Sequence, residues 1–136
     1  MKNAFSLLEL IFAILIIGII ASVAVPKFID SKDEALASTI KRDIVSATTA
    51  IQSYAMLDDN LSNIDEAIVL SKANWTVVSS KATFKENSKI CVTIEVKTDA
   101  SGSKTLKIDI DDTSTGSVCQ KLLSDKYGIE DIDYKL

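Results

Sequence analysis

Histidine is missing from this 136-residue chain altogether. Its absence removes the commonest general base and the commonest imidazole metal ligand together. Proline occurs once, at Pro26, and glycine four times, so no Pro- or Gly-rich linker divides the sequence, and its length suits one domain. Cysteine occurs twice, at Cys91 and Cys119, at a spacing that fits no zinc or CxxC redox pattern. No nucleophile–base pair, glycine-rich phosphate loop or paired-carboxylate site stands out. The chain is therefore not expected to be an enzyme or to carry a cofactor.

Charge is missing too, but only in one place. Between Leu10 and Val25 no charged residue occurs, whereas the chain as a whole is 25% charged. Residues 1–57 hold five acids and five bases; residues 58–136 hold 14 acids and 10 bases, and so carry the entire net charge of −4. An apolar anchor joined to an acidic head is the plain implication. An acidic head repels phosphate backbones, and no Lys/Arg cluster with interleaved aromatics appears, so bulk nucleic-acid binding is unlikely on electrostatic grounds.

The segment 7–25 is apolar apart from Glu9, Gly18 and Ser22. Its 19 residues span about 28 Å as a helix, close to the hydrocarbon thickness of a bilayer. Lys2 precedes it, which by the positive-inside bias keeps the N-terminus cytoplasmic and exports the remainder. After Pro26 the pattern changes to a helical stripe of Ile29, Leu36, Ile40, Ile44, Ala47, Ile51 and Tyr54, with Lys32, Asp33, Lys41, Arg42 and Asp43 off it. One long helix is predicted over 5–57, apolar all round in its first half and amphipathic in its second, kinked rather than ended by Pro26. Asp58-Asp59-Asn60 reads as its stop. A short helix over 64–70 follows.

Beyond Trp75 the period becomes two. Strands are predicted from Trp75 to Ser79, over Ile90–Val96 and over Leu106–Ile110, with Asp99–Ser103 as a hairpin turn. Val118–Asp125 reads as a helical turn and Asp133–Leu136 as a marginal last strand. The fold class is α+β, a long N-terminal helix packed on a small antiparallel sheet, with the amphipathic half of the helix covering the sheet.

Three readings compete for the first 28 residues: a plain single-pass anchor, a cleavable secretory signal with its small-residue site at Ser22-Val23-Ala24, and an assembly signal. Glu9 discriminates among them. A carboxylate in an apolar segment costs several kcal/mol without a partner, and neither an anchor nor an ordinary signal has use for one. If the chain were cut after Ala4, Phe5 would carry a new α-amine four residues from Glu9, about 6 Å along a helix. Between staggered copies, the amine of one could meet the acid of the next and fix the axial register of a bundle.

The run Lys2-Asn3-Ala4-Phe5-Ser6-Leu7-Leu8-Glu9-Leu10 closely resembles the type IV prepilin processing motif, and Gly18–Phe28 continues the resemblance to the type IV pilins and type II secretion pseudopilins. The likeness covers roughly residues 1–28; the head shares only the family's general plan. The resemblance implies a prepilin leader at 1–4, cleavage between Ala4 and Phe5 by a membrane prepilin peptidase, N-methylation of Phe5, and a role for Glu9 in docking and assembly. It also implies that Gly18 and Pro26 bracket a stretch able to lose helical structure, which suits a permissive backbone and a missing donor. The family usually has glycine where this chain has Ala4. On this reading the domains are 1–4 leader, 5–57 helix with 7–25 transmembrane, and 58–136 globular head.

The function so implied is that of a structural subunit: a pilin, minor pilin or pseudopilin of a type IV pilus-like filament or of a type II secretion or DNA-uptake pseudopilus. Its partners would be copies of itself or related pilins, the peptidase and an inner-membrane assembly platform. It would sit in the inner membrane with its head in the periplasm before entering a periplasmic or extracellular filament. The head is small and carries no adhesin-like insertion, and retention of Glu9 argues against the specialised tip subunits that lack the acid; the lean is toward a pseudopilin or minor pilin. The rival is a periplasmic binding module, exported by an ordinary signal and released after Ala24.

Four weaker features complete the inventory. Cys91 and Cys119 read as one disulfide in an exported protein, against two reduced core cysteines; the family often staples its C-terminal loop in this way. Asp109, Asp111 and Asp112, with Thr113 and Ser114, form an oxygen-rich run that is a weak calcium candidate, although no EF-hand spacing is present and a solvated turn accounts for it. Asn60-Leu-Ser62 and Asn74-Trp-Thr76 match the glycosylation acceptor pattern, which arises often by chance. Trp75 at the start of a strand is expected in the core.

Overall fold

A computed structural model describes residues 5–57, 61–124 and 132–136, with the side chain of Ile132 left aside. The elements are helix α1 (Leu7–Leu57), a single turn of helix α2 (Ile64–Ala67), strands β1 (Trp75–Val78), β2 (Lys81–Glu86), β3 (Lys89–Thr98) and β4 (Lys104–Ile110), helix α3 (Ser117–Leu123) and strand β5 (Ile132–Lys135). The chain divides into two compact units, Met1–Asp33 and Glu34–Leu136, and α1 contributes to both. Pro26 lies inside α1 without ending it, while Asp58-Asp59-Asn60 and Asp125 fall outside the described residues. The short helix expected over 64–70 closes already at Ala67, where the Ile68 amide bonds the Ile64 carbonyl and the backbone turns extended.

Within the second unit, α1 lies on a five-stranded antiparallel sheet of order β1-β2-β3-β4-β5. Ala37, Ile40, Ile44, Ala47 and Ile51 are the buried stripe of α1, with Leu36 and Tyr54 half-covered at its margins. They share one core with Trp75, Ala82, Phe84, Val92, Ile94, Val96, Leu106, Ile108 and Ile110, the inward residues of four strands alternating at period two. The small alanines let helix and sheet approach closely. The predicted stripe is right from Leu36 onward, whereas Ile29, 55% exposed, belongs with the apolar unit that precedes it. Trp75 is 3% exposed, packs 6.1 Å from Phe84 between ring centroids, and donates its indole Nε1–H to Asp43 Oδ2 of α1 at 2.9 Å. That bond joins the edge strand to the helix and satisfies the one polar atom of a buried ring.

Strand β2 has no counterpart among the predicted strands. Both turns that bound it lack glycine. Ser79 takes φ 50° in the β1–β2 connection, and Asn87 and Ser88 take φ 50° and 67° between β2 and β3. Two successive positive φ values make the tight turn whose twist suits a hairpin, here without the glycine that usually marks one.

The register of β2 against β3 slips once. Phe84 opposes Val92 and Lys85 opposes Ile90, so Cys91 has no partner on β2. This is a β-bulge, one extra residue that reverses the facing of the chain beyond it. Cys91 and Val92 are consequently both buried, while Ile90, predicted inward with Val92 and Ile94, is 43% exposed. The bulge aims Cys91 at the core, where it is bonded to Cys119 of α3 with their Cα atoms 5.8 Å apart.

Helix α3 is capped from a distance. The Glu86 carboxylate at the end of β2 accepts the backbone N–H of Val118 at 3.1 Å and of Cys119 at 3.0 Å, and the Ser117 hydroxyl lies 3.4 Å away. Those amides are two of the orphan donors at a helix start, and the negative charge suits that end of the helix. Gly116 makes the approach possible, because a Cβ there would stand 2.0 Å from Glu86 Oε2. Gly116→Ala is expected to displace the carboxylate and cost about 1–2 kcal/mol, the usual worth of a helix cap. Urea denaturation of the variant against the parent checks this; an unchanged midpoint would refute the cap.

Candidate functional site

From Leu7 the first unit is one long stretch of helix, and among its described residues no side chain is buried. Every large apolar residue from Phe5 to Ile29 is at least half exposed, from 50% at Ile11 to 77% at Leu7. Monomeric soluble proteins rarely show a contiguous apolar patch of more than a few hundred Å². Helix α1 is long and apolar enough to cross a membrane by length and composition. Backbone polar groups are satisfied within a helix, the condition for entering lipid.

Glu9 stands in the first turn of α1, exposed and flanked by Leu8 and Leu10. The helix dipole favours an acid at this end. Phe5, 76% exposed, precedes the helix by two residues, and the first described backbone bond here runs from the Leu10 amide to the Ser6 carbonyl at 3.1 Å. Ala4 lies outside the described residues. Farther along, a Cβ built on Gly18 would meet nothing within 4 Å; the glycine leaves a shallow groove among Ile14, Leu15 and Ser22. Pro26 cannot donate to the Ser22 carbonyl one turn before it, and the Ser22 hydroxyl itself bonds back to the Ile19 carbonyl at 2.7 Å. Both Gly18 and Pro26 lie within continuous helix.

The remaining sequence candidates lie in the second unit. Cys91 and Cys119 form a disulfide, both fully buried. The run near the end of β4 behaves as strand and turn. Asp109 faces Lys107 Nζ at 3.7 Å. Asp111 Oδ1 accepts the Thr113 hydroxyl at 2.6 Å and the Thr113 amide at 2.9 Å. Those two bonds, hydroxyl first, hold the Asp111 carboxyl below its ordinary value. Asp99 is lowered likewise by Ser101 and Ser103 in the β3–β4 turn. In both turns the carboxylate is favoured in the folded chain, so its contribution is complete above the ordinary carboxyl range and is lost as pH falls through the lowered value. Among the described residues no group of three acids, cysteines or histidines is placed to hold a metal ion. Asn74 is half-buried in the turn before β1, and Asn60 lies outside the described residues.

The Glu86 cap, the Cys91 bulge and the Asp43–Trp75 bond were not legible beforehand, since each joins residues more than 25 apart or depends on a register slip. Only the lone glycine at position 116 just before an apolar turn could have hinted at a close approach.

Against known proteins, no family model matches the chain and no solved structure matches it. A curated relative does. Over 95 residues the chain is 26% identical to the type IV major alpha-pilin of Moraxella bovis, a match covering 70% of this chain. The chain is similar to a type IV pilin over that stretch. It spans 59% of the length of that relative. Its long apolar N-terminal helix and its α+β arrangement of helix and five-stranded sheet are in keeping with that similarity.

The disulfide closes a loop with a sequence separation of 28, a staple worth about 3.5 kcal/mol at most in the chain-entropy model. Replacing both Cys91 and Cys119 by serine is expected to lower unfolding free energy by about 2–3.5 kcal/mol, read from chemical denaturation. Equal stability with and without the bridge would contradict that role.

Proposed function

We propose that this chain is a structural subunit of a type IV pilus-like filament or pseudopilus. The observation that carries the reading is the uncovered apolar helix with a single acid, Glu9, four residues after Phe5. Burying such a surface is worth about 25 cal/mol per Å². A bilayer supplies that burial before assembly, and the same helix of neighbouring copies supplies it afterwards. The name of the Moraxella bovis relative supports a pilin-type subunit.

On this reading residues 1–4 form a leader, and a prepilin peptidase cuts between Ala4 and Phe5 and methylates the new amine. Residues 7–25 then hold the chain in the inner membrane with residues 58–136 on the periplasmic side. The partners are copies of the same chain or related pilins, delivered by an inner-membrane assembly platform. Within the bundle the Phe5 amine of one copy pairs with Glu9 of the next. Apolar packing sets the strength of assembly, and this desolvated pair sets the register, because a copy shifted by one turn leaves a carboxylate unpaired in an apolar surround. Gly18 and Pro26 give the helix room to extend between them as copies pack. The helix supplies the filament core and the acidic head its outer coat.

Intact mass of the mature chain is expected to begin at Phe5 with one added methyl group. A mature terminus at Val25 would instead identify an exported binding module and sink the filament reading. Glu9→Ala is expected to insert into the membrane normally and to enter filaments poorly, by about tenfold or more. Unchanged incorporation would remove the register argument.

A further inference from the structure

The heads of such an assembly carry like net charge, yet they must lie side by side. The sheet shows how that repulsion is relieved. Its outer face has three levels along the strand direction. In the middle level Lys81, Glu95, Lys107 and Asp133 stand opposite one another across β2, β3, β4 and β5, alternating in sign and cancelling. At one end Lys97 and Lys135 flank Thr105. Asp99, in the turn after β3, has its Oδ1 turned into its own loop, accepting the amides of Ser101 and Ser103 at 2.8 and 2.9 Å. Glu95 contacts Lys97 at 3.6 Å from the middle level. At the other end Asp109, Asp111 and Asp112 follow in succession, with Lys107 contacting Asp109 and Lys89 acting on Asp111.

Strand β4 and the turn after it therefore run from a lysine end to an aspartate end. From Thr105 to Asp109 the strand spans about 13 Å at the rise of a β-strand. That exceeds one Debye length at physiological salt, so the two ends act as separate poles.

We propose that the lysine end of the sheet, Lys97 and Lys135, docks the aspartate end, Asp109, Asp111 and Asp112, of the next copy's head. The inference rests on the filament reading and names the head-to-head contact within it. The occupant is a second copy because each pole is complementary to the other pole of the same molecule. A contact between two different patches of identical chains is heterologous, and repeated without closure it builds an open filament rather than a dimer. The contact contributes register and selectivity more than strength, since exposed pairs are individually weak while like charges brought opposite one another oppose docking strongly.

Charge reversal in the full-length chain, expressed where it assembles, tests this. Lys97→Glu with Lys135→Glu makes both poles negative; Asp109→Lys with Asp112→Lys makes both positive. Each pair alone is expected to cut assembled material about tenfold or more, and the two pairs in one chain are expected to restore it to within about twofold of the parent, because the poles are again complementary. Thermal unfolding and formation of the Cys91–Cys119 bridge confirm that each variant folds. Should a reversal disturb the fold, Lys97→Gln with Lys135→Gln serves instead. Parent assembly is then expected to weaken as salt rises and the neutral variant to respond less. Normal assembly by either reversed pair, a combined variant as defective as its parents, or equal salt dependence would overturn the contact. Loss of assembly in Glu9→Ala alongside normal assembly of the reversed pairs would leave the filament reading standing and remove this inference alone; failure of the parent to assemble would remove both.

Discussion

From Leu7 to Ile29 the large apolar side chains are at least half exposed among the described residues. Everything else about the protein follows from where that surface can go. Water excludes it by the hydrophobic effect, and a helix can enter lipid because its backbone is already satisfied. Glu9 then makes lipid an incomplete answer, because a carboxylate in hydrocarbon needs a cation. On the proposed reading, a bundle of identical helices bearing α-amines near the acid would satisfy both demands at one axial offset.

On the proposed reading, the head has to hold its shape while the helix changes surroundings from bilayer to bundle. The second unit carries several devices that would do this. The stripe from Ala37 to Ile51 and the inner face of the sheet close one core. The segment beyond β4 is held by three linked devices: the bulge that turns Cys91 inward, the disulfide to Cys119, and the Glu86 carboxylate seated on the start of α3. The cap and the bridge meet at Cys119, whose amide bonds Glu86 while its sulfur bonds Cys91. Strand β5 follows α3 in the chain and pairs with β4, so the same devices tether the last strand of the sheet.

Much of this was legible in the sequence, for identifiable reasons. The long helix and strands β1, β3 and β4 showed because their periodicities are strong and their burial is one-sided. The Asp99–Ser103 turn showed because Asp, Ser and Gly cluster there, and Gly102 does take φ 85°. Strand β2 was hidden because Ser79, Asn87 and Ser88 carry the positive φ values that glycine normally advertises. Ile90 was misassigned because period-two reading assumes an unbroken register, and the bulge at Cys91 breaks it. Ile29 was counted with the core stripe because helical spacing cannot tell a face that meets a sheet from a face that meets lipid or a neighbouring copy. At the N-terminus the motif from Lys2 to Leu10 is readable as a family likeness, while the proposed pairing of Phe5 with Glu9 would involve other copies and is not written in one chain's contacts.

The central claim is that the exposed helix is covered by the same helix of other copies. It is tested most directly by placing single cysteines in turn at Ile14, Gly18 and Ser22, the native pair being locked in its bridge, and oxidising material harvested as filaments. The account predicts covalent dimers between copies at one or more of the three positions, since neighbouring helices there are in contact. Monomer alone at all three, from material that is assembled, would contradict it.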